Sequence, residues 1–467
     1  MASLLDRLGH NARDMFDWVP GIGLIDATVT DLSAMVFDRR LRVAVTGLRR
    51  SGKTVFLSAL AHHLRAGTGL PFLSVVRDSR YLGARLLRVA RDERAFPYLE
   101  NLDRLSRDPP SWPDATDQIS HLRLELRYEP RSLLGRSLGT IRSLFVEIVD
   151  YPGEWLMDLP LLETPYRHWS DATLAALVAE PRKAFAGPFL QALDAAEDLS
   201  AIDRLVDQYT HLLIRLRDEA GLSLLQPGRL IAPGEASLPR NVAFVPCPAH
   251  KPDLHRQMEQ RYQAYLRQLV RPFKEEVVDT IDRQIVLLDV LESLNRGPDH
   301  FADTQKAIET VLESFSYGRS GYLTRLLSPK IDRLVFAATK ADHVAFTQHA
   351  NLERLLDDMV DHAKRAVRLE GVNCETLALA SLRSTDTVKT DYDGQQLSCV
   401  RGVLVDDGKE TILFPGEIPP TMPRGREWNE SYFAFRRFAP RPLDQGGANS
   451  HIRLDRALEL LIGDRLA

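Results

Sequence analysis

Cysteine is scarce in this chain: Cys247, Cys374 and Cys399 are the only three in 467 residues, and no two of them form a CxxC pair. Such sparse usage excludes a disulfide framework or a cysteine zinc cluster and fits a reducing compartment. Long apolar runs are missing as well. The segment Met1–Trp18 carries Asp6, Arg7, Arg13, Asp14 and Asp17, which interrupts any secretory h-region. No stretch approaches the roughly 18 apolar residues that a membrane span needs. A surplus of one charge is also absent. Sixty Lys and Arg stand against 64 Asp and Glu, a formal net charge of -4, with no sustained basic run, so no nucleic-acid partner is expected.

What is present reads as a globular chain with enough length for two to three domains' worth of structure. Leu4, Leu5, Leu8, Met15, Phe16 and Trp18 predict an amphipathic N-terminal helix, which either packs on the body or touches a membrane interface. Leu41–Thr46 predicts a strand, and Thr54–Leu64 the helix after it. His121–Tyr128 alternates apolar and charged residues, the period of a strand with one wet face, and Ser143–Val149 is a second strand able to form a hairpin with it. Helical spacing dominates from Trp155 to about Arg283, apart from an irregular Pro-rich piece over 227–252. Strands at 284–289, 333–338 and 375–380 then alternate with helices at 302–317 and 351–369, the pattern of βαβ crossovers and a mostly parallel sheet. A hairpin around Asp407-Gly408 and a short helix from Leu454 close the chain.

The most specific signal is Gly47-Leu-Arg-Arg-Ser-Gly52-Lys53-Thr54, which matches GxxxxGK[ST] between a strand and a helix. Glycines let such a loop turn its N–H groups inward on phosphate oxygens, and the helix N-terminus faces the same anion. Gly47, Ser51, Gly52 and Val55 shape the loop and its exit. Lys53 would reach the β- and γ-phosphates, and the Thr54 hydroxyl would ligate Mg²⁺. Arg49 and Arg50 occupy positions where a side chain crowds the γ-phosphate; either both point to solvent or one serves as a built-in cation.

Asp150-Tyr-Pro-Gly153 fits DxxG, a weak pattern that recurs at 218–221, 391–394 and 444–447. Only Asp150 ends a hydrophobic strand after the loop, where a Mg²⁺-side carboxylate is needed, with the Gly153 N–H directed at the γ-phosphate. Glu154 follows, a carboxylate that can position water but repels the γ-phosphate unless paired. Thr116 is the best-placed threonine to close over the metal, with a turn cap as the equal alternative. Thr339-Lys340-Ala341-Asp342 matches [NT]KxD after a strand. Its carboxylate can accept from guanine N1–H and N2–H₂, donors that adenine lacks there, while Lys340 lies along the base and Thr339 ties the loop down. Ser381 and Leu382 stand where a backbone N–H backs the guanine O6. Asp289 reads as a strand-end cap, His62 and His63 as packing or solvated residues, and Trp428, Tyr432, Phe433, Phe435 and Phe438 as tail packing or a partner surface.

The order of these motifs is that of a G domain. Ala44–Thr54, Asp150–Glu154, Ile285–Asp289 with Leu294-Asn295, Ala338–Asp342 and Ala380–Thr385 together resemble the YcjX-like family of bacterial P-loop GTPases, which are associated with envelope and heat stress. The resemblance implies an α/β fold: a Ras-like P-loop G domain with a mostly parallel sheet over 41–154 and 284–390. An N-terminal helical extension over 1–40, a large mainly helical insertion over 155–283 and a small C-terminal β and irregular extension over 391–467 complete the expected organisation. It also implies GTP or GDP with Mg²⁺ as ligands, a protein partner at the inner membrane, and a cytoplasmic location or peripheral attachment to that membrane. Lys53, Glu154 and Thr116 are the expected catalytic group. The function expected is a slow GTP-hydrolysing switch linked to stress. The alternatives are a nucleotide-locked binding module and a P-loop ATPase.

Overall fold

The computed structural model describes residues 39–48, 50–114, 116, 118–131, 140–234, 238–315, 331–392, 394–430, 433–443 and 450–467. The expected N-terminal helix and Arg49 lie outside the described residues.

Seven strands form the main sheet: β1 (Arg39–Gly47), β2 (Tyr81–Leu86), β3 (Ser120–Tyr128), β4 (Arg142–Asp150), β5 (Arg283–Leu288), β6 (Arg333–Ala338) and β7 (Asn373–Ala378). Their order is β2-β3-β4-β1-β5-β6-β7. β4, β1, β5, β6 and β7 run parallel, while β3 pairs with β4 and β2 with β3 antiparallel. The expected hairpin of β3 and β4 is present, with Ser120 opposite Asp150, but the face of β3 expected to be wet carries buried Arg123 and Glu125. β2, at the sheet edge, is an addition to the expected strands.

Principal helices are α1 (Lys53–Ala66), α2 (Tyr166–Leu177), α3 (Lys183–Asp194), α4 (Ile202–Asp218), α5 (Pro252–Tyr265), α6 (Pro298–Ser314), α7 (His349–Leu369) and α8 (Leu454–Ile462). Strand periodicity sorts the core onto the two sheet faces. Leu41, Val43, Val45, Ile285, Leu287 and Val335 pack with Phe56, Leu60 and Leu64 of α1 and Leu458 and Leu461 of α8. Ala44, Val286, Leu288, Leu334 and Phe336 face the other way, into a cluster with α6, α7 and the helices of 155–283. This is the three-layer α/β arrangement in which both faces of a parallel sheet are covered. The helices of 155–283 form an insertion between β4 and β5 of this α/β fold.

The insertion has its own aromatic interior. Tyr166, Trp169, Phe244 and Tyr262 pack with ring centroids 4.9 to 6.1 Å apart, and the irregular stretch Val242–Val245 is wholly buried. The C-terminal part adds a small antiparallel sheet of β8 (Thr385–Tyr392), β9 (Gln395–Val403) and β10 (Glu410–Leu413). The expected hairpin is β9 and β10; β8, with its Asp386, Lys389 and Asp391, is one strand more than the sequence pattern indicated. α8 returns beneath the main sheet, where fully buried Arg283 bonds Asp332 at 2.7 Å and Asp464 at 2.6 Å. Among the described residues no helix is long and apolar enough to cross a membrane.

Candidate functional site

The C-terminal ends of β1, β4, β5 and β6 meet at one edge of the sheet, and all three motifs sit there. β1 ends at Gly47, and the chain turns through Arg50 (φ 64°) and Gly52 (φ 87°) into α1. Ser51 N–H donates to Leu48 O at 3.1 Å, closing the turn, and Phe56 N–H takes the Gly52 carbonyl at 2.9 Å. Left-handed backbone is cheap at Gly52 and costly at Arg50, where a Cβ is present.

Lys53 Nζ lies 3.7 Å from Asp150 Oδ1 and donates to the Tyr151 carbonyl. Thr116 Oγ1 donates to Asp150 Oδ2 at 2.6 Å and stands 3.3 Å from Thr54 Oγ1. The loop lysine, the loop threonine, the strand-end carboxylate and the threonine preceding β3 thus converge on one spot. Asp150 is buried, and its Oδ1 accepts no hydrogen bond. Burial pushes its pKa above the ordinary carboxylate value, against the pull of Lys53 and of the Thr116 hydroxyl. A desolvated carboxylate oxygen beside two hydroxyls is a hard-oxygen donor set, and it fits a small divalent cation such as Mg²⁺.

Gly153 presses on the start of the phosphate loop. A Cβ there would overlap the Gly47 carbonyl oxygen and lie 3.3 Å from its carbon, so the position needs glycine for close approach. Tyr151 was not singled out by sequence, yet its buried hydroxyl pairs with Thr46 Oγ1 at 3.0 Å, and Gln284 Nε2 donates to the same threonine at 2.8 Å. That chain fixes the end of β4 against β1 and β5. Only the placement of Tyr151 inside DxxG hinted at it. Glu154, next in sequence, lines a cavity with Leu48, Arg50 and Ser51.

At the [NT]KxD motif, Thr339 is anchored to the end of β5, its N–H and hydroxyl both reaching Leu288 O at 2.8 and 3.2 Å. Lys340 (φ 59°) forms an ion pair with Asp289. Asp289 also caps the helix Val290–Arg296 by accepting the Glu292 N–H at 3.1 Å. Burial raises its pKa, but Lys340 and the Glu292 amide outweigh that and hold it below the usual value. Asp342 is buried, and its Oδ2 accepts Ser384 N–H at 2.7 Å and Ser384 Oγ at 2.6 Å. The serine bonded to Asp342 therefore lies three positions beyond Ser381. Ala380 bridges to Ile452, and Leu382 sits in a small apolar cluster with Leu105 and Leu443, against which Val55 packs. Phe438 stacks edge-on against His343 at 5.2 Å, so the aromatic tail packs beside this loop.

His63 packs in the interior: its Nδ1 is 3.1 Å from Thr68 O, and burial lowers its pKa to about 4. Glu93, His121 and Glu147 cluster closely, but Arg42 and Arg123 already bind Glu147 at 2.7 and 2.8 Å. Burial there raises the Glu147 pKa, and His121 and the arginines more than offset it, holding the carboxylate far below its ordinary value. It is an ion-pair network.

Residues 41–466 match the sequence profile of the YcjX-like family, DUF463. The chain belongs to that family. It is 37% identical over 462 residues to the Ras-like GTPase YcjX of Escherichia coli K12, covering 93% of this chain and 98% of that protein. The Ras-like GTPase YcjX of Shewanella oneidensis is also 37% identical over 462 residues, covering 92% of this chain and 95% of the relative.

Proposed function

We propose that this YcjX-like chain binds GTP with Mg²⁺ at the 47–54 loop and hydrolyses it slowly, as a switch. The observation that carries this reading is the convergence of Lys53, Thr54, Thr116 and Asp150 at the mouth of a P-loop. Both relatives described above bear the name Ras-like GTPase, which supports guanine over adenine.

In this reading the amides of Arg50 to Thr54 and the Lys53 ammonium take the β- and γ-phosphates, in competition with the Tyr151 carbonyl for that lysine. Thr54 and Asp150 would hold Mg²⁺, with Thr116 beside them. The ion, when bound, draws charge from the β- and γ-oxygens. Asp342, steadied by Ser384, reads the guanine N1 and N2 hydrogens, and Lys340 lies along the base with Thr339, Ser381 and Leu382 around it. Glu154 is the group after the γ-phosphate glycine. Its negative charge repels the γ-phosphate, and turnover is accordingly slow.

One observation favours the second reading, a nucleotide-locked module. The segment after Gly153 is bolted to the insertion, with Gly228 N–H on Asp158 Oδ1 at 2.7 Å and Trp155 Nε1 on Ala232 O at 2.6 Å. Titration with GTP, ATP and XTP, with and without Mg²⁺, tests nucleotide choice. Single-turnover assay then separates the readings: phosphate formed within minutes supports the switch, and GTP persisting intact for hours supports the module. Tighter binding of ATP than of GTP would remove both.

A further inference from the structure

A cavity opens between Leu48, Arg50 and Ser51, the Gly153-Glu154 turn and the helical insertion; among the described residues its walls include neither Thr54, Thr116 nor Asp150. It is thus a space beside the phosphate loop, distinct from the proposed metal side. Five cationic side chains reach it, Arg50, Arg217, Arg296, Lys340 and Arg437, against three carboxylates. Lys340 and Asp289 neutralise each other, and Arg217 is paired with Asp218 at 2.9 Å. Arg296 and Arg437, however, share one acceptor, Glu292 Oε1, at 2.7 and 3.9 Å. One carboxylate between two guanidiniums leaves a positive charge over at that corner. On the loop side, Ser51 Oγ is buried without a hydrogen-bond partner. Gly153, the γ-phosphate glycine of the reading above, also lines this cavity, so the two spaces share the Gly153-Glu154 turn.

We infer that this cavity receives the inorganic phosphate released by GTP hydrolysis, an inference that rests on the GTPase reading above. In that reaction the water oxygen bonds to the γ-phosphorus as the bond to the β–γ bridging oxygen breaks. The electron pair stays on GDP, and the proton lost by water ends on phosphate or solvent. The product is a dianion whose forward path is filled by GDP and the loop amides. The surplus charge at Arg296 and Arg437 draws it past the Gly153-Glu154 turn, and fork-shaped guanidiniums match its oxygens. Exit then depends on the insertion, which supplies Arg217 and the apolar wall of Leu222, Leu225 and Ile231.

The test uses the full chain loaded with GDP and titrated with inorganic phosphate by calorimetry. Wild type binds phosphate; Arg296→Gln with Arg437→Gln weakens binding roughly tenfold, as loss of two charges at a part-exposed site does. Glu292→Gln acts oppositely and tightens it, which a folding defect does not imitate. In single turnovers, phosphate appears in solution later than it is cleaved, and the double variant shortens that lag while leaving the cleavage step unchanged. Phosphate affinity unmoved by all three substitutions, or a wild type with no lag, overturns the inference and leaves the GTPase reading standing. Failure of the chain to bind GDP overturns both.

Discussion

Gly228→Ala places a single methyl where the insertion meets the segment after DxxG. A Cβ at 228 would stand 2.6 Å from the Glu154 carbonyl carbon, closer still to its oxygen, and 3.3 Å from Asp158 Oδ2. The obstacle is backbone, so no rotamer change relieves it, and the two segments have to separate by roughly 1 Å to regain ordinary contact. Overpacking of this kind costs about 1–3 kcal/mol. Separation also stretches the Gly228 N–H bond to Asp158 Oδ1, now 2.7 Å, leaving Tyr265 as the main donor to a buried carboxylate. Losing a hydrogen bond to a charged group costs about 1.5–3 kcal/mol. Together these amount to a loss of about 2.5–6 kcal/mol, a large share of a domain's usual stability. Urea unfolding followed by tryptophan fluorescence reads the change, and Trp155, bonded to Ala232 O, lies beside the lesion. Gly187→Ala is the control. It sits in helix α3 with nothing within 4 Å of an added Cβ. There the helix-propensity gain and crowding against Pro188 oppose each other, and the expected change is within about 1 kcal/mol. If Gly228→Ala costs no more than this control, the rigid junction between the insertion and the segment after DxxG is refuted.

Asp158→Asn isolates a pH dependence at the same junction. Burial raises the Asp158 pKa from 3.8 to about 6, despite the Tyr265 and Gly228 bonds. The folded state therefore holds a proton that the unfolded chain releases, and wild-type stability falls as pH rises from about 4 to about 6, by up to ~3 kcal/mol. The asparagine variant lacks that slope, and unfolding at pH 5 and pH 7.5 should show it gaining on wild type at the higher pH. Gly153→Ala, whose Cβ would overlap the Gly47 carbonyl oxygen, should abolish GTP turnover while sparing most GDP affinity, measured by fluorescent-nucleotide titration. Thr116→Val removes the 2.6 Å bond to Asp150 and should raise the Mg²⁺ concentration needed for GTP binding about tenfold, some ~1.4 kcal/mol. Asp342→Asn exchanges an acceptor for a donor and should shift preference from GTP toward XTP by at least about tenfold; unchanged discrimination would place base reading elsewhere.

How much of this could be read in advance depended on whether a feature is local. The loop, its strand and its helix are contiguous, so Gly47, Gly52, Lys53 and Thr54 stood out by spacing alone. Asp150 stood out because a hydrophobic strand delivers it to the sheet edge, where the three other DxxG matches have none. β2 and β8 escaped notice because each lies at a sheet edge: Gly83 interrupts one and alternating charges occupy the other, so neither carries a run of buried residues. Thr116 reads equally as a cap or a site residue in the sequence, because its 2.6 Å bond to Asp150 is a contact across the fold that spacing does not carry. Ser384, Tyr151 and Gln284 depend wholly on contacts across the fold, the last two meeting at Thr46 from different strands. No spacing rule connects residues 46, 151 and 284. Similarly, the buried stretch Val242–Val245 looked irregular because it is irregular, and only the packing of Phe244 among Trp169, Tyr262 and Tyr265 makes it core.

The junction between the segment after DxxG and the insertion bears on how a signal would leave this site. Tyr151 touches Thr46 of β1 on one side and packs its ring against Phe273 at 5.4 Å on the other; Trp155 packs against the same Phe273 at 5.6 Å, and Arg229 lies 3.2 Å over the Trp155 ring. Tyr265 and Gly228 then grip Asp158, and Tyr262 donates to Leu161 O at 2.9 Å. Residues 151 to 161 are thereby held at several separate points, by aromatic contacts, a cation over a ring and buried hydrogen bonds. A segment so held has two ways to answer a change at Gly153: it stays, or it carries α5 and the Gly228 turn with it. Independent movement of the segment would strand Asp158 without partners in a buried site, which is the costliest outcome for a carboxylate. The insertion is therefore the element that must move if anything beyond Gly153 moves at all. A probe on α5 whose environment is identical with GDP and with a GTP analogue would show that the signal, if there is one, leaves by another route.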